Sequence, residues 1–407
     1  MHTRASMKYL ILIGDGMADR PLKALGGKTP LMAARTPNMD ALAQQGEIGL
    51  VRTIPKGYPK GSEIANLSVF GYDPRQYYTG RGPLEAASIG VKLGPHDVAF
   101  RLNLVSLAAI GGSMIMEDYS AGHISTEEGG EIIRDLDREL GDSVFRFYPG
   151  VSYRHLLVWK GKGENIKTTP PHDITEQEIG DYLPKGEGAQ DLIRLMTGTQ
   201  IFLKSHPVNL KRHQEGKREA NATWPWGQGK APQMPSFTER FGLTGSVISA
   251  VDLIKGIGIY AGLEVIAVPG ATGYLDTNYQ GKAEYALRSL EKGDFVYIHV
   301  EAPDEASHNG DLDAKIEAIE AFDEKVVGTI VRGMERGGDY KIMVLPDHPT
   351  PIELKTHTDD PVPFVIYDSH EKGASGKEGF DEQTAAKSGI MIEEGHKLVE
   401  RFVRGGA

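Results

Sequence analysis

Residues 295–311, FVYIHVEAPDEASHNGD, and 341–364, KIMVLPDHPTPIELKTHTDDPVPF, decide how this 407-residue chain is read. Two apolar runs, Phe295 to Val300 and Lys341 to Leu345, have the short, β-branched character of buried strands. Each is followed by metal-ligand residue types: Asp304 and His308 after the first, Asp347 and His348 after the second, with His357 in the next loop. In an α/β chain the carboxyl ends of parallel strands open on one edge of the sheet, where ligands bind. These five side chains are therefore expected to converge. The four-residue spacing places Asp304 and His308 on one face of a helical turn. Carboxylate and imidazole donors without thiolate suit Mn²⁺, Zn²⁺ or Mg²⁺, and two such clusters can hold two ions close together.

The same pattern recurs near the amino terminus. Lys8 to Ile13 is an apolar run of parallel-strand type, followed at once by Gly14-Asp15-Gly16. Thr36 and Pro37 mark a helix start, as N-cap and first helical residue. Lys60-Gly61-Ser62-Glu63 opens a second short helix, which Gly71 closes before the Tyr72-Asp73-Pro74 turn. At a helix amino terminus the unpaired N–H groups favour an oxyanion or phosphate, and a coordinating metal can make the Ser62 hydroxyl nucleophilic. Taken singly, Gly-Asp-Gly is a turn and Ser62 an N-cap. The metal-ligand clusters downstream give both a chemical reading.

Composition narrows the classes. A chain of this length exceeds one ordinary core, so two domains are expected. A net charge of -11 and a sequence pI near 5.7 disfavour a nucleic-acid partner, which needs a basic face. The absence of cysteine excludes disulfides and thiolate metal sites and fits a cytoplasmic protein. No apolar run approaches the roughly 20 residues of a membrane span, and Met1 to Ser6 is too short and polar for a signal peptide.

GDGMAD, TPLMAARTPNMDALAQQG, GSEIANLSVFGYDP, YYTGRGPLEAASIG, APDEASH, PDH and HTDDPVPF, in this order, resemble the archaeal-type branch of the cofactor-independent phosphoglycerate mutases, within the alkaline phosphatase superfamily. The resemblance implies an alkaline-phosphatase-like, mostly parallel sheet with helices on both faces, formed by residues 1–74 and 236–407. A smaller inserted α/β domain for substrate binding and transfer is expected at 75–235. It further implies an isomerase of glycolysis and gluconeogenesis that interconverts 3-phosphoglycerate and 2-phosphoglycerate, with two divalent ions, usually manganese, and no 2,3-bisphosphoglycerate. By the same resemblance Ser62 is the nucleophile that becomes phosphoserine. Asp15, Ser62, Asp347 and His348 surround one ion, and Asp304, His308 and His357 hold the other.

A phosphorylated carboxylate needs cations as well. Arg81, His123, Arg154, Lys230 and Lys255 are the candidates, arginine for bidentate contacts and lysine as a point charge. The resemblance points to His123 and Arg154 in the inserted domain and Lys255 in the phosphatase-like one, with Asp173 as a proton-handling carboxylate. In the insert, strands are expected at Phe100 to Leu107, Ser113 to Tyr119 and Val151 to Lys160, and helices after the Ser125 capping spacing and at Ala189 to Leu203. Asn209 to Pro235, containing WPWGQGK, reads as a loop-rich return. Beyond it, Ser246 to Gly256 and Asn278 to Leu290 read as helices and Glu264 to Val268 as a strand. Ile316, Ile319, Phe322, Val326, Val327 and Ile330 form a helical stripe. Phe364 to Tyr367 reads as the final strand, and Thr384 to Val403 as a peripheral, helical segment. The competing functions are a phosphohydrolase, another phosphomutase, a phosphotransferase acting on an amino-acid alcohol, and a non-enzymatic anion sensor. No GxxxxGK[ST] loop is present, which counts against a nucleotide-dependent kinase. A three-ligand cluster leaves positions open for substrate, which counts against a purely structural metal.

Overall fold

The computed structural model describes residues 7–335, 337–371 and 379–405. Met1 to Ser6, considered above as a leader, lies outside the described residues. The chain divides into two compact units, Met1–Tyr78 with Gln233–Ala407, and Thr79–Pro232.

The first unit is built on an eight-stranded sheet. Its order is Met391–Ile392, Glu47–Val51, Val362–Asp368, Tyr340–Leu345, Lys8–Gly14, Phe295–Val300, Gly245–Ile248 and Glu264–Val265. Every neighbouring pair is parallel except the two made by Val362–Asp368. Buried parallel strands need apolar side chains on both faces, because helices cover both. Leu10, Leu12, Val296, Ile298, Ile342 and Val344 pack on one side with Met39, Ala283, Ile319 and Phe322 from the covering helices. On the other side Tyr297 stacks on Phe70 with centroids 3.9 Å apart, and Phe295 on Phe237 at 4.3 Å. The three central strands matter most for function. Gly14 lies level with Val300, and Ile13 with Leu345, so the loops carrying Asp15, Asp304 and Asp347 leave the sheet side by side.

Several elements differ from the sequence reading. Gly245–Ile248 is a strand, and the helix begins only at Asp252; a short apolar run fits either period, and pairing with Phe295–Val300 decides it. The expected 264–268 strand is limited to Glu264–Val265. Val362–Asp368 is followed by a further strand, Met391–Ile392, and the carboxyl-terminal segment is helix, strand, helix. The apolar stripe around Phe322 lies on helices Leu312–Ala321 and Gly328–Met334, joined by a π-helical stretch at Phe322–Val327. That stretch turns Asp323 inward, where its carboxylate accepts from the backbone N–H of Asn38 at 3.2 Å and Met39 at 2.7 Å. Thr36 makes no side-chain capping bond. Helix Pro37–Gln45 is therefore capped from another helix, by a carboxylate at its positive end.

The second unit is a five-stranded sheet that is antiparallel throughout. Its long strand Asp97–Ile110 pairs with Ser113–Asp118, Arg154–Lys160 and Ala222–Gly229, and Phe145–Val151 adds to Arg154–Lys160. Helices Thr126–Leu140 and Ala189–Leu203 bury Ile132, Ile133, Leu136 and Leu192 with Phe100, Leu157 and Trp159. WPWGQGK is a correction: it forms most of strand Ala222–Gly229, with Trp224 and Trp226 buried. Pro225 hid it. Proline is tolerated on an edge strand, and among the described residues this strand pairs on one side only. Where the unit begins and ends, the Thr79 hydroxyl donates to Lys230 O at 2.7 Å. Gly80, at φ +139°, lies so close that a Cβ there would meet Gln228 O at 2.1 Å.

Candidate active site

Each ligand-type side chain of the first unit is placed by the element before it. Asp15 leaves its strand into a turn at Gly16, φ +64°. A Cβ on Gly16 would sit 2.6 Å from Asp304 Oδ1, so glycine is required here by conformation and by space. Its N–H donates to Asp347 Oδ1 at 3.2 Å. Helix Ala302–Asn309 presents Asp304 and His308 one turn apart, with His308 Nε2 3.2 Å from Asp304 Oδ2. His357 Nε2 lies 3.4 Å from Asp304 Oδ1 and 2.9 Å from His308 Nε2. His348 Nε2 lies 3.4 Å from Asp15 Oδ1 and 3.6 Å from Asp347 Oδ2. The donor atoms of Asp304, His348 and His357 lie within 4.8 Å of one another, as do those of Asp15, Asp347 and His348.

The outer partners fix which atoms face inward. His308 Nδ1 contacts Lys355 O at 2.9 Å, and His357 Nδ1 contacts Lys60 O at 2.9 Å. A carbonyl only accepts, so both Nδ1 atoms carry the proton and both Nε2 lone pairs point at each other. Two lone pairs at 2.9 Å repel unless a cation or shared proton lies with them. Next to Asp304 the proton is held strongly: its hydrogen bond to that carboxylate raises the His308 pKa to about 9. Burial pushes the Asp15 carboxyl well up, and the neighbouring Asp347 and Asp304 charges add to it. Its buried Oδ1 has no hydrogen-bond partner. A buried acceptor without a donor, three clustered carboxylates and imidazole Nε2 atoms turned towards them are a donor set that fits divalent cations.

Ser62 is the first residue of helix Ser62–Val69; Gly61 holds the N-cap position, with no side-chain cap. Its hydroxyl is thus not spent on capping and lies 3.0 Å from His348 Nε2. Asn66, one turn on, donates to Ser62 O at 2.8 Å and Asp347 Oδ2 at 2.6 Å, and Tyr297 in turn donates its hydroxyl to Asn66 Oδ1. All seven side chains expected at the metals, Asp15, Ser62, Asp304, His308, Asp347, His348 and His357, are gathered here.

The family model of 2,3-bisphosphoglycerate-independent phosphoglycerate mutase matches residues 43–209. A Geobacter sulfurreducens protein is 59% identical over 397 residues, covering 98% of this chain and 100% of its own. The 2,3-bisphosphoglycerate-independent phosphoglycerate mutase of Methanosarcina acetivorans is 52% identical over 400 residues, with 98% and 100% covered. This chain belongs to that family. Among solved structures, a Pyrococcus horikoshii protein superposes with a TM-score of 0.83 at 31% identity, covering 98% of both chains. The cofactor-independent phosphoglycerate mutase from Thermoplasma acidophilum superposes at 0.68 and 26% identity, covering 98% of this chain and 100% of that one.

Mutases of this family handle a small anion, and the five expected cations have different surroundings. Lys255 pairs with Asp252 on its own helix at 3.1 Å. Lys230 is ion-paired with Glu164. His123 adopts φ +51°, its ring 6.1 Å from Tyr153, and the Arg154 guanidinium lies 5.7 Å over the same tyrosine. Arg81 lies 5.7 Å over Trp226. Asp173 is largely exposed, 3.5 Å from His172. Two neighbours of these cations escaped the sequence reading. Arg101 is buried, pairs with Glu85 at 3.0 Å and lies 4.8 Å over Trp226. His172 packs 5.3 Å from Trp226. Burial lowers the Arg101 pKa, with Glu85 opposing and the positive Arg81 and Arg154 adding to the shift. In the first unit, His299 was missed because it sits inside an apolar strand. Its Nε2 is 3.2 Å from Asp15 Oδ2, and burial pulls its pKa to about 4, keeping it neutral.

Proposed function

We propose that this chain interconverts 3-phosphoglycerate and 2-phosphoglycerate through a phosphoserine at Ser62, without 2,3-bisphosphoglycerate, in the cytoplasm. The observation that carries the proposal is the Ser62 hydroxyl, uncommitted to capping, at a helix amino terminus and 3.0 Å from a histidine of the paired metal-type clusters. The names of the relatives support the substrate. Asp15, Ser62, Asp347 and His348 would hold one divalent ion, and Asp304, His308 and His357 the other, with Mn²⁺ the metal we favour. Bound there, such ions lower the pKa of a coordinated hydroxyl and offset the charge of phosphoryl oxygens.

The chain's own residues then have defined tasks. The Ser62 hydroxyl gives up its proton as Oγ attacks the phosphorus of 3-phosphoglycerate; the P–O3 bond breaks, and the 3-oxygen leaves on glycerate, with a proton equivalent to the one released. The positive dipole end of helix Ser62–Val69 faces the charge that the phosphoryl oxygens carry. The glycerate 2-hydroxyl then gives up a proton and attacks the phosphoserine, the Oγ–P bond breaks, and Ser62 is regenerated. Arg81, Arg101 and Arg154 of the second unit supply anion recognition, Arg through paired N–H donors.

The test is a phosphorus NMR time course with 3-phosphoglycerate, run on chelated protein and again after Mn²⁺ is added. The expected result is 2-phosphoglycerate growing in only with metal, with little free phosphate. Dominant release of inorganic phosphate would replace the mutase reading with a phosphohydrolase, and no turnover of 3-phosphoglycerate would shift the reading to another phosphorylated hydroxy acid.

A further inference from the structure

Behind the ligand cluster lies a fully buried ammonium. Lys315, on helix Leu312–Ala321, is 0% exposed. Its Nζ donates to Asp19 Oδ2 at 2.8 Å, to Thr350 O at 2.9 Å and to Ala18 O at 3.5 Å. Asp19 Oδ2 also accepts from the N–H of Ile352 at 3.0 Å. Ala18 and Asp19 continue the loop that begins at Asp15; Thr350 and Ile352 continue the loop that begins at Asp347 and His348. The two loops are further joined by Thr350 N–H, which donates to Ala18 O at 3.2 Å. Thr350 is the junction. Its hydroxyl donates to Asp304 Oδ1 and lies 3.2 Å from His348 Nδ1, so one residue whose carbonyl Lys315 grips also touches a ligand-type side chain of each cluster.

Stability alone does not account for this arrangement. Taking an ammonium and a carboxylate out of water costs several kcal/mol per ion, and well-packed apolar residues of similar volume are often as stable or more so. What the ion pair supplies that apolar packing does not is directed hydrogen bonds to two loops at once. We infer that Lys315, together with Asp19, is a positioning residue pair that holds the Asp15 loop and the Asp347–Thr350 loop in register, and so sets the spacing of the two ligand clusters. The inference rests on the metal-centre reading above.

The test is calorimetric titration of the full chain with Mn²⁺ alone, for wild type, Lys315→Met and the isosteric Asp19→Asn, alongside thermal unfolding of each without metal. The expected result is a metal-free midpoint lowered in both variants, because each leaves one buried charge unpaired, and, at a temperature where every variant is folded, an Mn²⁺ dissociation constant weakened about 10–100-fold, as for loss of outer partners of metal ligands. Unchanged Mn²⁺ affinity in either folded variant overturns the inference, as does a loss of affinity that only tracks a lowered metal-free midpoint. Should Lys315→Met not fold, Asp19→Asn decides by the same criteria. A wild-type protein that binds no Mn²⁺ removes the metal centre itself, and the positioning role with it.

Discussion

The two units of this chain make polar sites in different ways. In the first, ligand-type side chains follow the carboxyl ends of three adjacent parallel strands, and hydrogen-bonded strand neighbours keep those ends level. In the second, there is no such edge. Arg101 and Trp226 are register partners on antiparallel strands, and Arg154 lies opposite Asn103, so charge is displayed on a sheet face and backed by aromatic rings. A parallel sheet concentrates ligands at one end of the layer, whereas an antiparallel sheet spreads them over a surface. The first arrangement suits ions that need short, fixed distances. The second suits an organic anion held by cations and rings.

The sharpest way to break this comparison is at Ser62. Ser62→Ala is expected to lower kcat by on the order of 10⁴-fold or more, as for removal of a nucleophile, with the circular dichroism spectrum and thermal midpoint unchanged. Residual activity within tenfold of wild type would end the phosphoserine reading. Next, Arg101→Met removes a buried cation worth about 1.5–3 kcal/mol when bonded to a charged group. We expect kcat/KM for 3-phosphoglycerate to fall about 10–100-fold, with Mn²⁺ affinity unchanged by calorimetry. A matching loss of Mn²⁺ affinity would show that the two units do not divide the work.

Stability should separate the units too. His155, in the second unit, is buried, its Nδ1 accepts from the Gly150 N–H at 3.0 Å, and burial lowers its pKa to about 3. The unfolded chain, with a histidine pKa near 6.5, binds the proton more readily than the folded one. The stability from this residue is therefore complete above about pH 6.5 and is lost as pH falls towards 3. Between pH 6.5 and 5 the loss is about 2 kcal/mol. Denaturant unfolding at those two pH values should show a drop smaller by that amount in His155→Gln, and equal slopes in both proteins would refute the assignment. The smallest effect is expected at Lys230, whose partly exposed ion pair with Glu164 is worth about 0–1 kcal/mol. Lys230→Ala should change kcat/KM less than about threefold, and a tenfold loss would return it to the anion site.

How much was legible in the sequence follows the same division. Asp15, Asp304, His308, Asp347, His348 and His357 each follow a strand-like run at short distance, so a linear pattern of strand then ligand finds them. Arg101 and His299 lie inside strands, where a polar residue among apolar ones carries no local signal; only the partner across the sheet gives it meaning. Trp224 and Trp226 were concealed by the proline and glycines between and after them, which imitate a loop. Gly245–Ile248 was misread because a four-residue run with two apolar side chains, Val247 and Ile248, does not distinguish the two periods. The outer layer, Asn66, Tyr297, Thr350 and Lys315, is distributed over separate elements and becomes visible only when the chain is folded.

The meeting of Thr79 with Lys230 has an evolutionary consequence. A segment whose two ends are already hydrogen-bonded can enter a surface loop of its host as if it were a short turn. The entropy of closing a loop grows only with the logarithm of its length, so the host's sheet hardly registers how much chain has been added. A lineage can acquire, lengthen or exchange such a cassette in a single genetic event while the strands that carry the ligand-type side chains keep their order. Under the proposed function, selection on substrate choice and selection on phosphoryl chemistry would then proceed on separate stretches of the same gene.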